Sequence, residues 1–180
     1  MIELERTSVM NFENALRGAR NPLSSWAKSD SFYGENGEFV IGEIDLSLAH
    51  RLAVSGSDHR KYLRQVFVSV DITAPIYWWK EFDTYKVGTV ANSCSTMHKI
   101  HDKEFTFDDF SHEHLSRTAE VALEHVIDIL NLNRDLFNAS GHKDKDSWWQ
   151  MIQLLPSSYN QTRTVQLNYE VLANICEYMA

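Results

Sequence analysis

"TAPIYWWKEFDTYKV", residues 73–87, sets five aromatic and four charged side chains in fifteen positions. Just upstream, Val66, Val68, Val70 and Ile72 alternate with Phe67, Ser69 and Asp71, the period-two pattern of a half-buried strand. Pro75 then stands where a helix would begin, since its missing N–H has no partner in a first turn anyway. A helix over 75–86 aligns Ala74, Trp78, Phe82 and Tyr85 on one face and Tyr77, Lys80, Glu81 and Thr84 on another. The Trp78 face is expected to pack in a core, because aromatic stripes at helical spacing usually do. The Lys80 face is expected to border solvent or a cleft.

Working outward, "IELERTSVM" reads as a strand and "NFENALRGAR" as a helix capped by Asn11. Residues 21–43, with Pro22, Gly34, Gly37, Gly42 and several serines, form the longest irregular stretch. "DLSLAHRLAVSG" is expected as a helix capped by Asp45 and stopped near Gly56. Beyond the loop around "DKEFTFDDF", Ser111 is expected to open a long amphipathic helix to about Phe137, with Leu115, Ala119, Leu123, Val126, Ile127 and Leu130 on its apolar side. "ASGHKDKD" is a polar turn, "SWWQMIQLL" a short helix ending at Pro156, and "NQTRTVQLNYEVLANICEYM" is expected to close the chain as a helix. No repeat or low-complexity tract occurs, and residues 1–180 are read as a single domain.

The chain has 180 residues, 43% of them hydrophobic, enough for one well-buried core. Its formal net charge of -8 argues against a broad nucleic-acid surface, so an anionic ligand would need a local basic pocket. Two cysteines, Cys94 and Cys176, do not make a disulfide framework. There is no signal-peptide pattern and no apolar run near the roughly 18 residues of a spanning helix, so a cytoplasmic protein without membrane contact is expected.

After the aromatic helix comes "GTVANSCSTMHK", where Gly88 permits close backbone approach. Ser93, Cys94 and Ser95 beside Lys80, Lys86 and Lys99 offer donors to phosphate or sugar oxygens. His98, His101, His112 and His114 have no zinc-site spacing and are read as ordinary surface or core histidines. Cys94 as a nucleophile would need a lowered pKa, for which nearby His98 is a weak argument. Walker, GxGxxG and GxSxG motifs are absent from the sequence.

The order of elements resembles the flavin-dependent thymidylate synthases (ThyX). Three segments carry the likeness: "NALRGAR" with the following Leu48, Leu52 and Gly56; "HRKYLRQVFVSVDITAPIYWWKEFDTYK"; and "LLPSSYNQTRTVQLNYEVL", with Asn168 twelve residues after Pro156. The resemblance implies a single-domain α/β (α+β) fold with a central, mostly antiparallel sheet flanked by long helices. It implies that His59 stands near a flavin and that Lys80 and Glu81 face the ligands. The family's Arg-His-Arg falls on Thr84, Tyr85 and Lys86, and its following serine on Cys94 or Ser95. Its phosphate arginine falls on Thr96 or Met97. Arg163 lies one position from a family arginine, Asn168 matches, and Glu170 replaces another arginine. The family continues past this helix with flavin-binding residues, whereas this sequence stops at "CEYMA".

Losing guanidinium groups from a buried phosphate site costs about 2–5 kcal/mol each. The expectation is therefore a ThyX-like binder of a nucleotide or nucleotide-derived ligand that sequesters or regulates without making thymidylate. Ligand contacts are expected from His59, Lys80, Glu81, Thr84, Tyr85, Lys86, Ser93, Cys94, Ser95, Arg163 and Asn168. No cofactor or metal is expected. The alternatives are an active flavin-dependent methylating enzyme that uses FAD on a deoxyuridylate-type substrate, and an assembly protein that keeps only the fold. Because the resemblance implies sites between subunits, and Trp78 and Trp148 offer apolar area, a homodimer or homotetramer is expected.

Overall fold

The computed structural model describes residues 2–85 and 87–179, except for the side chains of Tyr178 and Met179. The elements run β1 (Glu3–Met10), α1 (Phe12–Ala19), β2 (Phe32–Tyr33), β3 (Phe39–Val40), α2 (Glu43–Val54), β4 (Phe67–Pro75), α3 (Ile76–Phe82), β5 (Val90–Ser93), α4 (Arg117–Ala139), α5 (Lys145–Leu154), β6 (Asn160–Asn168) and α6 (Tyr169–Met179). This is a mixed α/β fold with a mostly antiparallel sheet of order β1-β4-β6-β5 and a small antiparallel β2–β3 pair. None of the described helices is long and apolar enough to cross a membrane.

The residues gather into two compact units. The first comprises 1–5, 71–84 and 91–164, and the second 6–70, 85–90 and 165–180. In the first, the buried stripe Leu123, Ile127, Leu130 and Phe137 of α4 packs with Met151 of α5 and with Ile100, Phe105 and Phe110. In the second, Ala15 and Leu16 of α1 pack with Ala49 of α2 and with Tyr62, Leu63 and Val66.

The alternation in β4 is realised as read, with Val68, Val70, Ile72 and Ala74 buried and Phe67, Ser69, Asp71 and Thr73 half-buried. The helix after it differs from expectation. Pro75 is the residue before α3, with extended backbone (φ -68°, ψ 152°), and the helix ends at Phe82. Ala74 belongs to the strand, so a helical wheel started from it has the wrong phase. Trp79, 0% exposed, and Phe82 carry the core face. Trp78 is half-buried, stacked on Phe82 with ring centroids 5.0 Å apart.

The largest departure lies at the C-terminal end, where residues 160–168 are a strand and the helix begins only at Tyr169. β-Branched Thr162, Thr164 and Val165, with Val165 and Leu167 buried and Gln166 exposed between them, give a period of two that an all-helix reading overlooks. Asn168, 7% exposed, starts α6, its Oδ1 accepting from the backbone N–H of Val171 at 3.1 Å.

Other helix starts also moved. Asn11 precedes α1 in left-handed backbone (φ 70°), and its amide donates to the Gln65 carbonyl at 2.8 Å rather than capping the helix. α4 starts after Ser116, whose hydroxyl accepts from Ala119 N–H, while Ser111 is buried and bonded instead to Ser158 O and Asn160. Asp30, not Asp45, accepts from the first free amides of α2, those of Ile44 and Asp45 at 2.9 and 3.0 Å.

Asp45 serves another purpose. It is 1% exposed, faces the 5%-exposed Arg20 at 2.5 Å, and accepts hydroxyl bonds from Ser29 and Ser31. This network ties the irregular stretch of 21–43 to α1 and α2. Burial alone would raise the Asp45 carboxyl; the hydrogen bonds from Ser29, Ser31 and Arg20, with the Arg20 charge, outweigh it and hold the pKa below the usual carboxylate value.

Two stability predictions follow from these contacts. Asp45→Ala leaves Arg20 buried without its carboxylate and should cost about 3–5 kcal/mol in denaturant unfolding. Because the folded pKa is the lower one, this stabilisation is complete above the unfolded value of about 3.9 and fades as pH falls through the folded value. The variant should therefore lose less stability than the parent below about pH 4; equal acid slopes would remove Asp45 as the source. The second concerns Gly88, which has φ +77° and where an added Cβ would lie 2.5 Å from Asn168 Nδ2. Gly88→Ala should cost more than about 1 kcal/mol. Its cost should shrink in an Asn168→Ala background, itself weakened by about 1 kcal/mol through the lost cap. Strict additivity would show that the amide does not press on Gly88.

Candidate functional site

In the first unit a cleft of about 570 Å³ opens between Thr73 of β4, the exit of β5 at Cys94–Thr96, the start of β6 at Asn160–Thr162, and the loop carrying Lys103 to Glu113. The loop is fixed locally. Thr106 and Asp109 bond reciprocally around a short turn at Phe107–Asp109, Lys103 is ion-paired with Asp109, and Asn131 of α4 holds both the N–H and the C=O of Phe105 at 2.8 and 2.9 Å. Phe110 then bridges Tyr159 as an antiparallel pair, their rings meeting edge-on with centroids 5.6 Å apart.

The opposite wall depends on Trp79. Its indole N–H donates to Gln161 O at 2.9 Å, and the Arg163 guanidinium lies over its ring, 4.2 Å from the centroid. Arg163 also donates to Gln161 Oε1 and to both oxygens of Asp83, at 2.9 and 3.2 Å. The Gln161 amide N–H in turn reaches Cys94 O at 2.7 Å, and Cys94 N–H returns to Thr162 O at 3.0 Å. Thr73 and Thr162 share a hydroxyl bond of 2.7 Å. Much of the wall's polarity is thereby satisfied within the protein.

Three polar groups of the lining keep hydrogen-bonding capacity. His112 bonds through Nδ1 to the Phe110 carbonyl at 2.8 Å. A carbonyl can only accept, so Nδ1 is the donor, and in the uncharged ring Nε2 is then an acceptor. Asn160 Oδ1 accepts from Ser111, which leaves its Nδ2 as a donor. The Tyr159 hydroxyl is the third, and burial, then the nearby Asp109 charge, pushes its pKa up and keeps it protonated. Glu3, Asp108, Asp109 and Glu113 also line the cleft, against one lysine, Lys103. The hydrogen bond to Asp109, opposed by burial, raises the Lys103 pKa, so that cation is already committed. The cleft suits neutral polar groups far better than an unaccompanied anion.

Of the residues expected at a site, Cys94 and Ser95 line this cleft. Ser95 Oγ accepts from the Met97 and His98 amides and pairs with His98 Nδ1 at 2.8 Å, so His98 turns to the serine and not to the thiol. Lys80, Glu81, Thr84, Ser93 and Arg163 are in the same unit but do not line it. Lys80 is exposed and, among the described residues, has no ion-pair partner, while Thr84 Oγ1 donates to Glu81 O at 2.8 Å. His59, Tyr85 and Asn168 belong to the second unit. There Asn168 caps α6, and Glu170 is held by Arg64 and Arg60. Lys86 lies outside the described residues. No group of three His, Cys, Asp or Glu able to hold a metal ion occurs among the described residues. Tyr159, Asn160, Gln161, Thr162 and His112 were missed as site residues. The polar run "SSYNQT" after the Leu-Pro turn is the available signal, its second half hidden by a helix expected from Asn160 onward.

No family model matches this sequence, and a search of curated proteins finds no match. Solved structures do match. ThyX from Helicobacter pylori, determined with FAD and dUMP, superposes with a TM-score of 0.67 at 16% identity, covering 97% of this chain and 81% of that one. The UMP/dUMP methylase PolB from Streptomyces cacaoi, bound with 5-Br dUMP, gives a TM-score of 0.60 at 14% identity, covering 96% and 74%. At these identities the likeness speaks for architecture, and the architecture of this chain is the ThyX fold.

Proposed function

We propose that this ThyX-like protein binds a nucleotide-type ligand and does not make thymidylate, acting as a sequestering or regulatory binder. Nucleotide binding is supported by the fold it shares with proteins solved with dUMP, 5-Br dUMP and 5-Br UMP. The observation that carries the rest is Arg163. It is 16% exposed and its guanidinium is engaged through Nε by Gln161, through Nη1 by Asp83 and on the Trp79 face, so an incoming phosphate would compete with a carboxylate already in place. Glu170 is similarly committed to arginines. Charge-assisted bonds of this kind are the strong ones, and a ligand that must break one loses that energy from its own binding.

A flavoenzyme is the second reading, favoured by the FAD in the Helicobacter pylori structure. A homo-oligomer fits either, since all of β1 is exposed and carries Leu4, Val9 and Met10 outward.

Purified protein is expected to be colourless, to release no FAD on denaturation, and to release no tritium from labelled deoxyuridylate when FAD, reductant and folate donor are supplied. A thermal-shift screen of nucleosides and nucleotides should nevertheless give a hit. Yellow protein with turnover would establish the flavoenzyme instead; a screen without a hit at millimolar concentrations would leave the fold without the binding function.

A further inference from the structure

We infer that the cleft of the first unit takes its ligand as an uncharged nucleoside with an imide-type base, read by His112 Nε2, and discriminates against the phosphorylated form. This rests on the nucleotide-type reading and specifies its ligand. The cleft volume, about 570 Å³, is within the roughly 300–1,000 Å³ of small-molecule sites. Its wall carries the half-buried Tyr159 ring, packed edge-on against the buried Phe110, an aromatic surface that suits a base face.

Hydrogen-bonding capacity then narrows the class. The Phe110 carbonyl fixes the His112 tautomer at 2.8 Å, and the Phe107 ring meets the imidazole edge-on at 4.3 Å between centroids, so the acceptor is held in orientation. The Tyr159 hydroxyl can donate, and so can the Asn160 Nδ2, with the amide oriented by the Ser111 hydroxyl that donates to its oxygen. Two donors and one acceptor complement a C=O, N–H, C=O edge, the imide of a uracil-like or thymine-like base. A site built to bond a particular N–H discriminates strongly, because the mismatched ligand leaves its polar groups unpaired.

Charge supplies the other half. Among the described lining residues, the carboxylates of Glu3, Asp108 and Asp109 stand against one lysine, Lys103, already paired with Asp109. A phosphate dianion there meets like charge with no arginine among the described lining residues to offset it. The fold neighbours were solved with monophosphates, so a preference for the bare nucleoside would separate this chain from them.

Calorimetry on the whole chain with deoxyuridine, thymidine, deoxycytidine and their 5′-monophosphates tests this. Deoxyuridine or thymidine should bind at least about tenfold more tightly than its monophosphate and than deoxycytidine. His112→Phe should weaken it tenfold or more without a change in circular dichroism. His112→Gln, which keeps an acceptor, should retain part of the affinity, and Asp108→Asn should narrow the gap between nucleoside and monophosphate. Monophosphates binding as well as nucleosides, or both His112 variants binding like the parent, would overturn the inference and leave nucleotide-type binding intact. No binding of any of the six would overturn that underlying reading.

Discussion

Trp79 is the point on which the first unit turns. Fully buried at the end of the strand-to-helix passage, it anchors α3 to β6 through Gln161 and supplies the face on which Arg163 rests. From there the contacts are continuous: Arg163 to Gln161, Gln161 to Cys94, Cys94 to Thr162. Truncating such an indole would remove a large buried area and release a guanidinium, a backbone carbonyl and the cleft wall together. The opening aromatic stretch is therefore both core and support for the cleft, with Trp79 in the role its neighbour Trp78 was expected to fill.

The same contacts limit the chemistry. An arginine bonded to a carboxylate must give up that bond before it can take a phosphate in its place. The cleft beside it compounds the effect, since its acidic groups outnumber its one paired lysine. The fold is shared with proteins solved with dUMP and 5-Br dUMP, while the cleft of this chain is lined by Tyr159, Asn160 and His112 and by more carboxylates than lysines.

What could be read from the sequence was what local periodicity encodes. The alternation of Val66 to Ile72, the apolar stripe of α4 and the early α1 all emerged, because burial patterns dominate those segments. Likewise the order of elements was enough to indicate the ThyX fold. The boundaries were less legible. Asp45 has the chemistry of a cap, yet a buried arginine 25 residues away in the chain claims it. β6 and α6 read as one helix, since the period of two is confined to Thr162–Leu167 and the apolar residues that follow suit a helix. The site suffered most. Asn168, expected as a ligand contact, caps α6 through its Oδ1, a role set by the strand-to-helix boundary, while Tyr159, Asn160 and His112 come together at the cleft only when a loop and a strand 49 residues apart, at Ser111 and Asn160, are hydrogen-bonded.

The engagement of Arg163 by Asp83 can be watched through the side-chain Nε–H resonance of Arg163, followed by nitrogen-detected NMR during titration with dUMP. A guanidinium held by Asp83, Gln161 and Trp79 should give a slowly exchanging signal that dUMP does not move and that Asp83→Asn alters. A saturable shift of that signal on adding dUMP to the parent protein would contradict it, placing phosphate on Arg163 after all.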